Sequence, residues 1–486
     1  MGSIPLSDSD IQEVIIVGAG ISGINAAYRF QDANPGRRYT ILEARSNIGG
    51  TWDLFKYPGI RSDSDLHTFG YAFKEWTGPD IAEAKYIVEY LENVVQENHI
   101  KERIRFNTKV VSADFSTEDR AWSVKVETNG RPETLRSRFV FLATGYYDYS
   151  SGLKAEIPGI HNFGGRVVHP QFWDLEPKDY RDKRVVVIGS GATAITLIPS
   201  MADETKSITM LQRSPSYIVA LPKHDPFASL CRAILPASWA SKLIRQKNIA
   251  RIYASYHFMR RFPNVARRYL RFATKKLLPK NIPLDPHFKP RYNPWDQRLC
   301  ICPDGDFYET LRSGKASIVT GEIEEVTQSS IRLKSGETLD ADVIVTATGL
   351  KMQIGGSVDV SVDGETVKPN QRFVWRGSML EGVPNLALFI GYTNASWTLG
   401  SDCTAHFMVR LMAKMDKEGK SMVVPRLESR ESIKEAPLIN LNSTYVQKAS
   451  ENLPKASSEG PWRLRTNYWY DLIQAKYGGL QGLTFA

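Results

Sequence analysis

The sequence predicts an α/β protein with two Rossmann-like dinucleotide-binding domains and a helical insert, because one pattern of strand, glycine-rich turn and helix occurs twice in its 486 residues. The first turn begins at Gly18 and the second at Gly189, and a basic segment rich in aromatic residues follows the second. Apolar residues make up 42% and charged residues 24% of the chain, which is the balance of an ordinary globular protein. We therefore expect a folded chain of two or three domains.

The first copy of the pattern is typical of a pyrophosphate site. The apolar run 13–17 leads into a turn with glycine at positions 18, 20 and 23, and residues 24–30 then have the composition of a helix. Gly18, Gly20 and Gly23 let the backbone approach a pyrophosphate, which the N-terminus of the following helix attracts.

An acidic residue and a hairpin pattern follow in the same region. The strand 39–43 ends on Glu43, twenty residues beyond the third glycine, a distance suited to a hydrogen bond with a ribose hydroxyl. Residues 104–106 and 122–126 alternate apolar with polar side chains, and a charged turn lies between them. This alternation predicts a β-hairpin inserted in the first domain.

The second copy of the pattern resembles the first. The apolar strand 184–188 is followed by Gly189, Gly191 and Ala194, and then by the helix 195–201. Alanine is an accepted replacement for the third glycine of such a turn.

The residues after the next strand indicate which nucleotide this second turn binds. The strand 207–211 is followed by Gln212, Arg213 and Ser214 and not by an acid. A cation and a hydroxyl suit a 2′-phosphate, so NADPH is favoured over NADH. Two nucleotide sites on one chain suggest that hydride passes from NADPH to FAD.

The order of these elements predicts a discontinuous first domain. An FAD-binding domain would comprise residues 1–149 and 326–486, because a strand at 341–346 leads into a second Ala-Thr-Gly sequence. An NADPH-binding domain would occupy residues 150–325 and carry the basic helical insert at about 226–290.

Charge is concentrated in the insert. The net charge of +9 comes from 62 basic and 53 acidic residues, but thirteen Lys or Arg and no acid lie between Leu230 and Lys280, which leaves about −4 (9 minus 13) elsewhere. This predicts amphipathic helices that either cover a substrate cleft or make peripheral contact with an anionic membrane surface. No nucleic-acid partner is expected.

The remaining composition argues against several functions. Cys231, Cys300, Cys302 and Cys403 have no paired spacing, so we expect a reducing compartment, no zinc site and no redox disulfide. The eight histidines have no metal-ligand spacing, so no metal is expected. No export signal and no bilayer span are evident, which predicts a cytoplasmic location.

Residues 163–174, with the sequence FGGRVVHPQFWD, resemble the fingerprint of the Baeyer–Villiger type of flavin monooxygenase, which is FxGxxxHxxxW followed by Pro or Asp. Phe163, Gly165, His169 and Trp173 match its fixed positions, and the segment lies between the two glycine turns as it does in that family. N- or S-oxygenating flavin-containing monooxygenases usually have another aromatic residue in place of Trp173, so that class is the alternative prediction. A flavoprotein NADPH oxidase without an oxygenated product is a further alternative.

The resemblance extends over nearly the whole chain. It is carried also by residues 49–54, 57–65, 293–298 and 391–397, which are most similar to the bacterial monooxygenases that activate the thioamide prodrug ethionamide. It implies FAD and NADPH as cofactors, molecular oxygen as a co-substrate, and ketones, sulfides or thioamides as substrates.

The resemblance also implies contact residues for each cofactor. Those for FAD would be Ser22, Glu43, Thr51, Trp52, Asp53, Leu54, Asp63 and Val111. Those for NADPH would be Arg61, Ser62, Asp63, Ser190, Gly191, Ala192, Thr193, Ala194, Ile195, Thr196, Arg213 and Ser214.

Arg298 matches the arginine that this family places beside the flavin. A guanidinium stays charged, so Arg298 would stabilise negative charge on oxygen during the reaction, with Asp63 orienting it. Gln297 stands where many members have lysine, so the preference for NADPH rests more heavily on Arg213. His169 is interpreted as a hinge contact between the domains.

Overall fold

A computed structural model describes residues 11–430, 433–439 and 441–486. In its first part the strands are β1 (Gln12–Val17), β2 (Tyr39–Leu42), β3 (Ile104–Arg105), β4 (Thr108–Ser116), β5 (Ala121–Thr128) and β6 (Arg131–Leu142). The helices are α1 (Ile21–Ala33), α2 (Thr51–Leu54), α3 (Leu66–Phe69) and α4 (Ala84–Glu97). Strand β1 lies between β2 and β6, parallel to both, and its Val14, Ile15 and Ile16 are fully buried. This burial on both faces explains why β1 is a continuous apolar run.

The middle of the chain contains a second parallel sheet and the helical insert. Its strands are β7 (Arg166–Val168), β8 (Arg184–Ile188), β9 (Ser207–Gln212), β10 (Ile218–Leu221), β11 (Cys300–Pro303) and β12 (Ala316–Thr320). Its helices are α5 (Pro177–Tyr180), α6 (Ala192–Met201), α7 (Pro226–Ile234), α8 (Ala237–Arg261), α9 (Pro263–Leu277) and α10 (Asp306–Arg312).

The last part of the chain consists mostly of short strands. They are β13 (Ile323–Val326), β14 (Ser330–Leu333), β15 (Thr338–Asp340), β16 (Val343–Thr346), β17 (Asp359–Val362), β18 (Glu365–Thr366), β19 (Val374–Trp375), β20 (Met379–Leu380), β21 (Leu386–Leu388), β22 (Val423–Pro425), β23 (Glu435–Pro437), β24 (Lys455–Ser457) and β25 (Leu483–Phe485). The helices are α11 (Trp397–Lys417), α12 (Thr444–Ala449) and α13 (Tyr468–Tyr477). Short 3₁₀ helices lie at Lys101–Arg103, Ile160–Asn162, Pro170–Phe172, Pro369–Gln371, Ser450–Asn452 and Gly460–Trp462.

Strands from both ends of the chain form the first sheet. Its order is β18-β17-β4-β5-β6-β1-β2-β3, and β21 pairs in parallel with β6. The hairpin in it is formed by β4 and β5, whereas Ile104 and Arg105 pair in parallel with β2 at the sheet edge. The prediction that residues 104–106 form a hairpin arm is therefore wrong, because two or three alternating residues do not distinguish a hairpin arm from a parallel edge strand.

The second sheet has the order β12-β9-β8-β16-β7, and all its pairings are parallel. Strand β16 lies at residues 343–346, between β8 and β7, so this sheet extends past the predicted domain boundary at residue 326. We propose that the third segment of the chain begins after residue 350.

The basic insert is helical, as predicted, and consists of α7, α8 and α9. Its inner side has a small core of its own that includes Cys231 and Ile244. The buried Arg245 donates hydrogen bonds to the backbone carbonyls of His67 and Gly70 at 2.7 and 2.8 Å, which attaches α8 to the first domain. None of the described helices is both long enough and apolar enough to cross a membrane.

Candidate active site

The first glycine turn is closely packed beneath a large cavity. Gly18 has φ +104°, and a Cβ there would lie 2.8 Å from the carbonyl oxygen of Ala143. A Cβ at Gly23 would lie 1.8 Å from the carbonyl oxygen of Gly18. Larger residues would push the turn away from α1, whose first backbone amides have no partner inside the helix and are available to an anion.

Glu43 supports this turn. Its Oε2 accepts a hydrogen bond from the Ala19 amide at 2.7 Å, and its Oε1 accepts one from the Arg45 amide at 3.0 Å. Burial raises the pKa of Glu43, and these two bonds oppose that rise. The carboxylate also lines the cavity, and each oxygen keeps a lone-pair site for a further donor. The ribose contact of Glu43 therefore stays a prediction that its position allows.

The second glycine turn repeats this construction on β8. Gly189 has φ +141°, and a Cβ there would lie 2.2 Å from the carbonyl oxygen of Ala347. The Ser190 hydroxyl donates to the Ser214 carbonyl at 2.9 Å, which ties the turn to the end of β9. Helix α6 follows, so its N-terminus faces the same cavity as that of α1.

One cavity of about 1440 Å³ connects the two turns. The predicted site residues that line it are Gly18, Gly20, Ser22, Glu43, Thr51, Trp52, Arg61, Ser62, Asp63, Gly189, Ser190, Gly191, Ala192, Thr193, Arg213, Ser214 and Arg298. A volume of this size is above that of ordinary ligand pockets and suits two extended ligands side by side.

The other predicted contact residues do not lie on the cavity wall. They are Gly23, Asp53, Leu54, Val111, Ala194, Ile195 and Thr196. Ala194, Ile195 and Thr196 are buried on the inner side of α6, and the Asp53 carboxylate forms ion pairs with Arg45 and Lys56. Val110, the neighbour of Val111, lines the cavity, and the pairing of β4 with β5 shifts register between Val110 and Ser112.

Arg298 and Asp63 line the same cavity. The Arg298 guanidinium donates long hydrogen bonds, both of 3.4 Å, to the carbonyl oxygens of Thr393 and Ala395. The negative charge of Asp63 contributes to the raised pKa of Cys300, for which burial is the larger cause. The predicted orienting contact between Asp63 and Arg298 stays a prediction.

Arg61 has a partner that the sequence did not indicate. Its guanidinium forms a two-bond ion pair with Asp306 at the start of α10, with distances of 2.5 and 3.3 Å. The two residues are 245 positions apart, and no local pattern predicts such a pairing.

A second cation near Arg213 was also missed. Lys334, which follows β14, lines the cavity and donates to Glu322 at 2.8 Å. This bond is the main cause of the lowered pKa of Glu322, and the charge of Arg213 adds to it. Two cations, Arg213 and Lys334, therefore line this part of the cavity together with the carboxylates of Glu322 and Glu324, and Gln297 provides no charge.

The fingerprint residues pack around the second sheet and do not line the cavity. Phe163 is buried in the core beneath that sheet, and a Cβ at Gly165 would lie 2.3 Å from the Asp342 carbonyl oxygen. Trp173 donates from Nε1 to the Leu175 carbonyl oxygen at 2.8 Å. These contacts fix the linker that leads into β8.

His169 lies where the two sheets are connected. Its Nδ1 accepts a hydrogen bond from the Gln171 amide at 3.2 Å, and Gly152 packs so closely that a Cβ there would lie 2.7 Å from the ring. Burial lowers the pKa of His169, and the backbone of Gly349 partly offsets this. Because residues 152 and 349 lie on the two chain crossings, this position is compatible with the predicted hinge contact.

The cysteines are buried and free. Burial raises the pKa of Cys300, Cys302 and Cys403 to about 12 in each case, so their thiols stay protonated. Among the described residues, no group of three His, Cys, Asp or Glu side chains is placed to hold a metal ion.

Similar sequences cover almost the full chain. Residues 15–234 match the family described as pyridine nucleotide-disulphide oxidoreductase. The chain is 45% identical over 467 residues to the FAD-containing monooxygenase EthA of Mycolicibacterium smegmatis, covering 96% of this chain and 94% of that protein. It is 42% identical over 462 residues to the probable FAD-binding monooxygenase AlmA of Acinetobacter baylyi, covering 94% and 92%.

Solved structures share the fold. A steroid monooxygenase bound to NADP has a TM-score of 0.75 and 21% identity, covering 97% of this chain and 99% of that one. A complex of OTEMO with FAD and NADP has a TM-score of 0.73 and 19% identity, covering 98% and 99%. At this level of identity the likeness concerns the arrangement of the two sheets.

Proposed function

The chain belongs to the family of FAD-containing monooxygenases, and from this premise we propose that it is an FAD- and NADPH-dependent Baeyer–Villiger monooxygenase. The reaction inserts one oxygen atom of O2 into a ketone to give an ester or a lactone, and sulfides and thioamides are further proposed substrates. The observation that carries this proposal is the single cavity that joins both glycine turns to Arg298.

The turn at Gly18 fits the pyrophosphate of FAD. Its packing against Ala143 leaves no room for a side chain, so a phosphate can approach the backbone and the N-terminus of α1. Glu43 would hold the ribose, while Thr51 and Trp52 line the wall farther along.

The turn at Gly189 fits the pyrophosphate of NADPH. Arg213 and Ser214 would bind the 2′-phosphate, and Lys334, which lines the same cavity, would supply the charge that Gln297 lacks. Arg61, fixed by Asp306, would contact the nucleotide between the two turns.

When bound, FAD would accept hydride from NADPH and, once reduced, react with oxygen. Arg298 provides a permanent positive charge on the wall, which stabilises negative charge on the carbonyl oxygen of a substrate as that carbonyl is attacked. Its bonds to Thr393 and Ala395 hold the guanidinium in place on the cavity wall.

Product analysis tests the proposal. Purified protein loaded with FAD is incubated with NADPH, oxygen and a panel of linear, cyclic and aryl ketones together with sulfides. Esters or lactones from ketones support a Baeyer–Villiger reaction. Oxidised sulfides without any ester would instead support the N- or S-oxygenating class, and hydrogen peroxide equal to the NADPH consumed with every substrate would support an oxidase.

A further inference from the structure

The exposed apolar side chains of this protein are concentrated in the basic insert. Of the sixteen large apolar residues that are exposed in the described part of the chain, ten lie between residues 227 and 272. Trp239 is 71% exposed and Tyr269 is 65% exposed. Scattered exposed apolar residues are normal, but a concentration of this kind marks an interaction site.

Five of these side chains lie near the end of α8, at its junction with α9, and along α9. Phe258, Phe262, Val265, Tyr269 and Phe272 are spaced by four, three, four and three residues. We call them the outer stripe. Within α9 this spacing places its members on one face of the helix.

The inner side of α9 is a different face and is already packed. It buries Ala266, Leu270 and Thr274, the last of which lies against Tyr308. The packing of α9 against the rest of the insert therefore uses other residues. The side chains of the outer stripe remain exposed and can contact a partner.

Cations accompany the outer stripe. Arg261, Arg268, Lys275 and Lys276 are exposed, and none of them forms an ion pair with a described carboxylate. Lys276 lies 4.5 Å from the centroid of the Phe272 ring and Arg261 lies 5.5 Å from that of Phe262. Aromatic rings with flanking cations on two consecutive helices suit the boundary between anionic headgroups and acyl chains.

This charge argues against a second copy of the chain as the occupant. Between residues 230 and 280 there are thirteen Lys or Arg and no acid, so two such surfaces facing each other would repel. The surface of an anionic bilayer can bind both groups, because its headgroups attract the cations and its acyl chains bury the apolar side chains.

The insert is firmly attached beside the segment that carries Arg298. Arg260 forms an ion pair with Asp296 at 2.6 Å, and the Tyr256 ring packs edge-on against Trp295 at 5.3 Å between centroids. Trp295 has φ +69°, a conformation rare for a bulky residue. Docking of the outer stripe would therefore bring this wall of the cavity close to the membrane surface.

We propose that the outer stripe and its four cations dock on the headgroup region of an anionic phospholipid bilayer. The protein would lie on the surface without crossing it, and apolar substrates could reach the cavity from the lipid phase. This docking is independent of the proposed oxygenation, because no member of the stripe lines the cavity.

Co-sedimentation with vesicles tests the proposal. The full chain, loaded with FAD, is mixed with vesicles of equal parts phosphatidylcholine and phosphatidylglycerol, or of phosphatidylcholine alone, at low and high salt. We expect binding to the anionic vesicles at low salt, with much weaker binding at high salt and to phosphatidylcholine.

Two variants separate the apolar and charged parts. Phe262→Ser/Tyr269→Ser/Phe272→Ser should bind at least about tenfold more weakly, since burial of each large apolar side chain in the bilayer adds to the affinity. Arg261→Gln/Arg268→Gln/Lys275→Gln/Lys276→Gln keeps the stripe and should lose about three orders of magnitude of affinity at low salt. Circular dichroism and FAD content show whether the stripe variant folds. If it does not fold, the variant that lacks the four cations still tests the proposal.

The matched control is Tyr86→Ser/Ile473→Ser/Tyr477→Ser, which removes exposed apolar side chains from other helices and should leave binding unchanged. Absence of vesicle binding at low salt, or equal binding by all three variants, would overturn the proposal. The proposal would also be overturned if sedimentation velocity showed that the protein self-associates without lipid and that the stripe variant does not.

Discussion

Arg61 and Asp306 form an ion pair that joins the cavity wall at Arg61 to helix α10, with 2.5 Å between Nη1 and Oδ2 and 3.3 Å between Nη2 and Oδ1. Arg61 lies in the segment between α2 and α3, and Asp306 begins α10, which packs against α6. The Arg61 side chain is only 11% exposed, so the pair is shielded from solvent more than a surface ion pair.

Breaking this pair should destabilise the protein. In Asp306→Asn, the guanidinium loses its charged partner, and we expect the free energy of unfolding to fall by about 1–3 kcal/mol. Chemical unfolding followed by circular dichroism measures this. The control is Glu309→Gln, which breaks an exposed pair with Arg312 on the same helix and should cost about 0.5 kcal/mol or less. Equal effects of the two substitutions would contradict the assignment.

Discrimination between the nicotinamide nucleotides should depend on two cations. We expect Arg213→Ala and, to a smaller extent, Lys334→Ala to raise the KM for NADPH about ten- to a hundredfold, because each would remove a proposed charged hydrogen bond to the 2′-phosphate. The KM for NADH should change little. Lys315→Ala, which removes an exposed cation paired with Asp203, is the control. A similar rise for both nucleotides would show that these cations do not bind the 2′-phosphate.

Glu322 provides a test of the opposite sign. Its carboxylate accepts a hydrogen bond from Lys334 and would repel a phosphate bound nearby. Glu322→Gln should therefore lower the KM for NADPH and leave that for NADH unchanged. An increase in the NADPH value, measured by steady-state kinetics, would place the 2′-phosphate away from Lys334.

Arg298 should be required for oxygenation and dispensable for flavin reduction. Hydride transfer needs the two nucleotides stacked together, whereas negative charge on oxygen needs a cation nearby. Arg298→Ala should retain FAD and be reduced by NADPH, yet form ester from a ketone about 100- to 1000-fold more slowly, with oxygen diverted to hydrogen peroxide. Arg298→Lys should restore part of the rate. Ester formation near the wild-type rate in the alanine variant would mean that the residue is structural.

Stability should decrease as the pH falls through the range in which His406 titrates. Burial lowers the pKa of this α11 residue from 6.5 to about 4, although Asp402 opposes the shift. Between these values the unfolded chain binds one proton more than the folded chain, so acid favours unfolding, by about 2–4 kcal/mol in total.

The free energy of unfolding, measured by chemical denaturation at several pH values between about 7 and about 4, checks this expectation. His406→Gln should reduce the loss of stability with falling pH, while His224→Gln, at an exposed position, should not. An unchanged pH dependence in the His406 variant would assign the effect to other groups.

The local patterns in the sequence predicted the parts of the site that depend on neighbours in the chain. The turns at Gly18 and Gly189 follow from a strand, a tight bend and a helix that are adjacent, and their positive φ angles require glycine. The helices of the insert were predicted in the same way, because the spacing of their apolar and basic residues is also a local pattern in the chain.

Long-range pairings could not be predicted in this way. Which sheet the strand 343–346 joins depends on partners more than 150 residues away, and Asp306 meets Arg61 only because α10 packs on the second sheet. Lys334 likewise reaches the cavity through the fold of β13 and β14, which leaves no trace in the sequence around Arg213.

The burial of all four cysteines makes this protein convenient for site-specific labelling. The thiolate is the form of cysteine that attacks a maleimide, and with pKa values of about 12 at Cys300, Cys302 and Cys403 almost no thiolate is present at neutral pH. Cys231 is also buried. A cysteine introduced in place of exposed Tyr269 or Tyr477 could then carry a single polarity-sensitive fluorophore without removal of any native thiol. The emission colour at those two positions would report which side of the folded chain faces lipid.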